Sequence, residues 1–262
     1  MRFDIMTLFP EMFESFMASG VTRRAFDSGQ VQLRLWNPRD FAVGNYRRVD
    51  DRPFGGGPGM VMMAEPLWLC LQAIRADRQQ DRTQAPLLFF SPHGQVLNHA
   101  LVSEWSSTKS GAVLLCGRYE GVDQRFINAH VDGFISLGDF VLSGGEIPAM
   151  AFVDALARLK PGVLHDPESH AHDSFNPSLD GLLDCPHFTR PEVWQGQSVP
   201  EALLSGHHVR IERWRRQQSL EQTVRLRPDL IAQARTQHKL DPEDEAWVAA
   251  SGNQRRAGET GL

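Results

Sequence analysis

The sequence predicts an α/β protein, a parallel sheet that carries its ligand loops at one end, followed by a small all-helical domain. Three observations predict it. Three glycine-bearing loops, Ser91 to Gly94, Cys116 to Gly121 and Leu137 to Glu146, adjoin short apolar runs at Pro86–Phe90, Ala112–Leu115 and Phe134–Leu137. Apolar runs bounded by glycine and proline read as buried strands, and the stretches between them read as helices. After residue 164 the pattern turns irregular and then helical. Ligands of open α/β sheets sit at the C-terminal ends of the strands. The loops are therefore expected to bind a small, polar, nucleotide-sized molecule.

Taken in order, Ile5–Phe9 reads as a strand, Glu11–Ser19 as a helix and Val31–Trp36 as a strand. The segment from Asp50 to Gly59, with its run Gly55-Gly56-Gly57-Pro58-Gly59, has no capacity for regular structure. Glu65–Ala76 is helical by the spacing of Leu67, Leu71 and Ile74. The three strand-loop units follow, and Glu146–Leu159 closes the domain as a helix with Pro148 in its first turn, where a missing N–H costs nothing. Pro161-Gly162 stops that helix. The expected organisation is a cofactor domain over 1–163, an active-site linker over 164–179, a helical domain over 180–250 and a disordered tail over 251–262. In the helical part, Ser219 with Gln222 reads as a capping box, and Asp241-Pro242 with Asp244 as a second helix start.

With 262 residues, 41% hydrophobic and 23% charged, the chain can bury a real core and has room for two units. The start, Met1 to Phe9, carries Asp4 inside its apolar stretch and reads as a first strand, not a signal peptide. No run is long enough to cross a bilayer. Three cysteines, Cys70, Cys116 and Cys185, are spaced like neither a zinc site nor a disulfide framework. A cytoplasmic enzyme is the expectation. The formal net charge of −5 argues against bulk nucleic-acid binding, yet Arg210, Arg213, Arg215, Arg216, Arg225 and Arg227 cluster locally, and Arg47, Arg48 and Arg52 flank the glycine run. Such patches suit a structured nucleic acid held by a few phosphate contacts, or equally a solvated helix face.

The glycine run lacks the lysine and Ser/Thr of a phosphate-binding P-loop. Among ionisable groups, Glu120 and Asp139 sit inside the ligand loops. Arg158 lies on a helix between apolar neighbours and reads from position alone as a satisfied structural charge. Asp173, in the irregular linker, reads from position alone as a solvated or turn-capping acid. His165, His170 and His172 near Asp166 lack the periodicity that would fix metal geometry. No metal ligand set is assigned.

Longer motifs carry a resemblance. Arg39-Asp40-Phe41, the stretch from Val49 to Met60, Cys116 to Asp123, Gly138 to Met150, Gly181 to Val193 and Leu203 to His208 closely resemble the bacterial tRNA (guanine-N1)-methyltransferases, which modify the guanosine at tRNA position 37. The resemblance runs in order to about Arg227. It implies the knotted methyltransferase fold, with a deep trefoil knot at the cofactor loops, and a homodimer with shared active sites. It implies S-adenosyl-L-methionine held by Ser91, Pro92, Gly94, Gly117, Tyr119, Glu120, Gly121, Ser136, Leu137, Gly138, Leu142, Gly144 and Gly145. Asp173 would be the base and Arg158 its electrostatic partner, one from each subunit. tRNA would be gripped through Asp50, Arg52, Asp184, Arg190, Ser205, Arg210, Arg215 and Arg216, with Arg213 beside them. Neither DNA nor a membrane is implied as a partner. Mg²⁺ would be bound weakly at most, with no ligand cluster of its own.

The residue types suit the chemistry. Guanine N1 carries a proton and becomes a good nucleophile when a carboxylate removes it. The charge left on O6 is stabilised by a guanidinium. Phe140 and Phe188 stand where tyrosine is common in the family, and His93 where glutamine is common, and none removes a group the chemistry needs. Asn176-Pro177-Ser178-Leu179 reads as an insertion just after Asp173. Two rivals remain: a non-catalytic tRNA-binding protein of the same fold, and a nucleotide hydrolase built on the glycine run. The first would show replacements at Asp173, Arg158 or the cofactor glycines. The second needs a lysine or metal carboxylates, where the run offers only arginines and Asp50-Asp51.

Overall fold

In the computed structural model, residues 1–164 and 172–258 are described, with side chains as far as Ser251. The chain divides into two units, Met1–His165 and Asp166–Leu262.

The first unit runs β1 (Arg2–Met6), α1 (Glu11–Ala18), α2 (Arg23–Asp27), β2 (Gln32–Trp36), β3 (Asp50–Asp51), β4 (Val61–Met62), α3 (Ala64–Gln80), β5 (Leu87–Val96), α4 (His99–Thr108), β6 (Gly111–Leu115), α5 (Gln124–His130), β7 (Gly133–Ser136) and α6 (Glu146–Arg158). Five strands form one sheet in the order β2-β1-β6-β5-β7, and every pairing in it is parallel. Period-two alternation divides the strand side chains between two cores. Phe3, Ile5, Leu88, Phe90, Ala112 and Leu114 pack with α1, α4 and α6. Met6, Leu87, Phe89, Val113 and Leu115 pack with α3 and α5 on the other face. Phe152 centres the first core, with Phe3, Phe90 and Trp105 set edge-on around it.

Asp4 is fully buried in β1. A bare carboxylate there would be prohibitive, so its partners decide whether the strand exists. Arg2 Nη2 donates to Oδ1 at 2.8 Å, Arg78 Nε to Oδ2 at 2.6 Å and Trp36 Nε1 to Oδ1 at 2.9 Å. Arg78 Nη2 also donates to the carbonyls of Arg2 and Ala112, which ties α3 to β1 and β6. With those charges paired, β1 begins at Arg2 instead of the expected Ile5. β5 is likewise longer than its apolar run. Ser91 to Gly94 is a bulge in it, and pairing with β7 resumes at Gln95↔Ile135.

The second unit holds the hairpin β8 (Val193–Trp194) and β9 (Gln197–Ser198), then α7 (Glu201–Leu204), α8 (His208–Leu226), α9 (Pro228–Thr236) and α10 (Pro242–Gly258). Its core joins Leu182, Leu220, Ile231, Ala234 and Val248. Asp241 and Asp244 cap α10 reciprocally: Asp244 N donates to Asp241 Oδ1 at 2.8 Å and Asp241 N to Asp244 Oδ2 at 3.4 Å. Two sequence expectations are corrected. Ser219 opens no helix, because α8 runs through it and its buried hydroxyl donates to the Leu183 carbonyl. And α10 continues to Gly258 where an unstructured tail was expected from Ser251. Residues 259–262 lie outside the described residues.

Candidate active site

A cavity of about 490 Å³ opens where β5, β6 and β7 end. That is the size and place of a nucleoside-sized ligand site in a parallel α/β sheet. Ser91 and Pro92 of the β5 bulge line it. So do Gly117, Tyr119, Glu120 and Gly121 of the loop after β6, and Ser136, Leu137, Gly138, Leu142, Gly144 and Gly145 at the end of β7 and in the loop after it. Gly94 is not on the wall. A Cβ there would stand 2.5 Å from Ile135 backbone atoms, so Gly94 serves the close packing of the bulge on β7. Phe89, Phe134, Ile135 and Pro148 add apolar wall that the sequence reading assigned to strands and helix only.

The loops are seamed together. Gly145 N donates to Gly117 O at 3.0 Å, and a Cβ on Gly145 would come within 2.6 Å of Cys116 Cα. Ser136 Oγ accepts from Gly138 N at 3.1 Å, fixing the turn in which Gly138 takes φ +141°. Backbone polar groups bared at glycine turns, with aromatic and aliphatic walls beside them, fit a purine nucleoside joined to a thioether chain. The donor set therefore fits S-adenosylmethionine.

The glycine run does structural work against this cavity. Glu120 N donates to Met60 O and Met62 N to Gly121 O, at 2.9 and 2.8 Å, and a Cβ on Gly59 would stand 2.3 Å from Glu120 Oε1. The end of the run and the residues just after it are thereby laced to the β6 loop. Tyr119 lies beside Asp50 and Arg39, and Arg39 Nη2 donates to its hydroxyl at 3.4 Å. Burial pushes the Tyr119 phenol up, and the Asp50 carboxylate adds to that against the pull of Arg39. Asp50, expected at the RNA, is thus brought to the cofactor loop. Burial, aided by Glu146, pushes the Cys116 thiol well above its ordinary value, which leaves it no thiolate character.

The expected catalytic pair is divided between the units. Arg158 is the half-buried last residue of α6. Asp173 lies half-buried in the second unit, in a folded loop and not a loose one. Asn176 N donates to Asp173 O at 3.2 Å, Phe175 N to Leu182 O at 2.8 Å and Asp184 N to Ser174 Oγ at 2.9 Å. The inserted residues form a short 3-10 turn, Pro177–Leu179, capped by the Asn176 side chain. Residues 165–171, with His165, Asp166 and His170 of the histidine cluster, lie outside the described residues.

Of the expected RNA contacts, Arg52, Arg190, Arg210 and Arg215 are exposed, and Arg210 pairs loosely with Glu201 at 3.2 Å. Ser205 Oγ donates to the Ala202 carbonyl. The Asp184 carboxylate takes the Cys185 amide at 2.6 Å and stands 2.9 Å from His187 Nε2. Arg216 differs from its neighbours. It bridges Asp180 at 2.9 Å and Asp244 at 2.5 Å, and is half-buried between them, so it joins the segment after Asp173 to α8 and α10. Among the described residues no three His, Cys, Asp or Glu side chains stand together as a metal site, which gives the expected weak Mg²⁺ no support. No described helix is long and apolar enough to cross a membrane.

Comparison with known proteins agrees with the cavity. The family described as tRNA (Guanine-1)-methyltransferase TrmD matches residues 1–233. A tRNA (guanine-N(1)-)-methyltransferase of Paracidovorax citrulli is 68% identical over 250 residues, 95% of this chain and 98% of that protein. One from Methylibium petroleiphilum is 59% identical over 252 residues, covering 95% and 97% of the two chains. The crystal structure of a tRNA (m1G37) methyltransferase from Aquifex aeolicus superposes with a TM-score of 0.69 at 38% identity, over 92% of this chain and 99% of the other. A match over most of the chain, at these identities, shows the family: the chain belongs to the tRNA (guanine-1)-methyltransferases.

Proposed function

We propose that this chain methylates N1 of the guanosine at position 37 of tRNA, with S-adenosylmethionine as donor. The observation that carries the proposal is the glycine-seamed cavity at the ends of β5, β6 and β7, in a chain of this family. Its backbone edges and apolar walls suit that donor. When bound, S-adenosylmethionine supplies an electrophilic methyl group on a sulfonium that leaves as a neutral thioether, so orientation matters more than acid catalysis.

The chain's own residues do the rest. Asp173 takes the N1 proton as the base becomes a nucleophile, and its place in a hydrogen-bonded loop restricts where that carboxylate can point. Arg158 stabilises the negative charge that develops on O6. Asp50, beside Tyr119, meets the nucleotide from the cofactor side. The exposed Arg52, Arg190, Arg210 and Arg215 hold phosphates and set register. Asp184 reads guanine donors by giving up His187. The trefoil threading and the homodimer with a shared site belong to the same proposal. Both rest on the family to which the chain belongs.

The test is methyl transfer from labelled S-adenosylmethionine to unmodified tRNA transcripts carrying guanine or adenine at position 37. Transfer to guanine alone, mapped to N1, is expected. Asp173→Ala should lower the rate by ~10²–10⁴-fold and Arg158→Ala by ~10²–10³-fold, with cofactor affinity nearly unchanged. Tight cofactor and tRNA binding without transfer would favour the non-catalytic rival.

A further inference from the structure

Glu146 closes the loop that follows β7. It is the first residue of α6, and its side chain is completely buried. A carboxylate so placed needs partners, and the helix N-terminus supplies only part of what it lost in leaving water. Two side chains from distant parts of the unit supply the rest. Thr7, just beyond β1, donates its hydroxyl to Oε1 at 2.8 Å, and Arg118 Nη2, in the loop after β6, stands 2.9 Å from Oε2. The second contact is a charge pairing without hydrogen-bond alignment, since Oε2 and Arg118 Nε have no aligned partner.

Arg118 is thereby held in one place. Its guanidinium lies 4.4 Å from the Phe9 ring centroid, and Nη1 donates to Ser143 O at 3.2 Å in the loop after β7. Gly144 leaves room for it, since a Cβ there would fall 2.2 Å from Arg118 Nε. Arg118 lines the cavity, while Glu146 and Thr7 do not. One buried carboxylate therefore joins the end of β1 to both loops that face each other across the ligand site.

We propose that Glu146 is a positioning residue for the cofactor: through Arg118 it fixes the separation of loops 116–121 and 137–145, and so sets cofactor affinity without touching the cofactor. This rests on the cavity being the S-adenosylmethionine site. Glu146→Gln keeps the shape and the acceptor for Thr7 but removes the charge that holds Arg118. Arg118→Met removes the other half.

The experiment is a double-mutant cycle in S-adenosylmethionine affinity, measured by calorimetry on the full chain, with methyl-transfer kinetics alongside. Each single variant should raise the Kd by about tenfold or more. The double variant should be no worse than the weaker-binding single, because either change alone releases the same clamp. KM for the cofactor should rise by more than kcat falls. Effects that add in full, or a Glu146→Gln Kd within about twofold of wild type, would overturn the proposal. If Glu146→Gln does not fold, Arg118→Met, which removes the charge from the other side, carries the test, and an unchanged Kd overturns it. Wild-type protein that fails to bind S-adenosylmethionine would refute the cavity assignment instead.

Discussion

Gly145→Ala tests the seam between the loops most directly. Gly145 has φ −82° and ψ −4°, which alanine adopts freely, so backbone strain plays no part. Its new Cβ would meet backbone on one side only: Cys116 Cα at 2.6 Å, Gly117 N at 3.1 Å and Cys116 C at 3.2 Å. Backbone cannot rotate away as a side-chain tip can. Moving from 2.6 Å to the 3.4 Å at which ordinary contact begins requires an opening of about 0.8 Å. The same opening stretches the 3.0 Å bond from Gly145 N to Gly117 O beyond useful length. Crowding of this kind costs ~1–3 kcal/mol and the bond ~1 kcal/mol. At ~2–4 °C per kcal/mol for a domain of this size, Tm should fall by roughly 5–15 °C. Cofactor affinity should fall by ~10–100-fold, since the loops that face the ligand have separated by nearly an ångström. Gly133→Ala is the matched control, because its Cβ meets only Leu88 Cδ2, at 3.1 Å, a group that can turn aside. Calorimetric Kd and thermal melts on both variants decide the matter. Gly145→Ala with wild-type affinity, or equal losses in the two variants, would refute the reasoning.

Asp4→Ala strips Arg2 and Arg78 of their buried partner and should cost ~3–5 kcal/mol in denaturant unfolding. Arg216→Ala should destabilise the second unit by ~1–3 kcal/mol through the unpaired Asp180 and Asp244, read as a lower melting midpoint. Arg215→Ala should leave stability alone, weaken tRNA binding and reduce the slope of log affinity against log salt by ~0.9; an unchanged slope would move the grip elsewhere. Ser219→Ala should cost ~1 kcal/mol through the Leu183 carbonyl it leaves without a donor.

Much of the parallel sheet was legible because its strands are short apolar runs closed by glycine or proline, and such runs identify themselves locally. β5 extends further than its run because pairing resumes beyond Gly94, where the residues are polar. Ser219 looked like a cap because Ser-x-x-Gln is a local pattern, whereas its true partner, Leu183, depends on tertiary packing. Arg216 looked like a phosphate ligand by charge. Its acids lie 36 and 28 residues away in sequence, beyond the reach of any spacing argument. Asp173 and Arg158 came forward only through resemblance, since an acid in a polar loop and an arginine on a helix carry no distinguishing local signal. Glu146 and Arg118 stood inside quoted motifs, but their task involves Thr7, 139 residues from Glu146.

The buried Asp4 has a consequence for how the chain assembles. Its three partners are nearby Arg2, then Trp36, and last Arg78 near the end of α3. Until Arg78 arrives, Arg2 and Trp36 are the partners that carboxylate has, and the second guanidinium of its buried cluster is missing. On a ribosome α3 emerges before β6, so Arg78 is at hand when β1 closes against β6 and can take the Ala112 carbonyl in the same step. A single acid in the opening strand thus ties the amino-terminal segment to a helical arginine more than seventy residues on, so that the full strength of β1 in the sheet depends on α3 being in place.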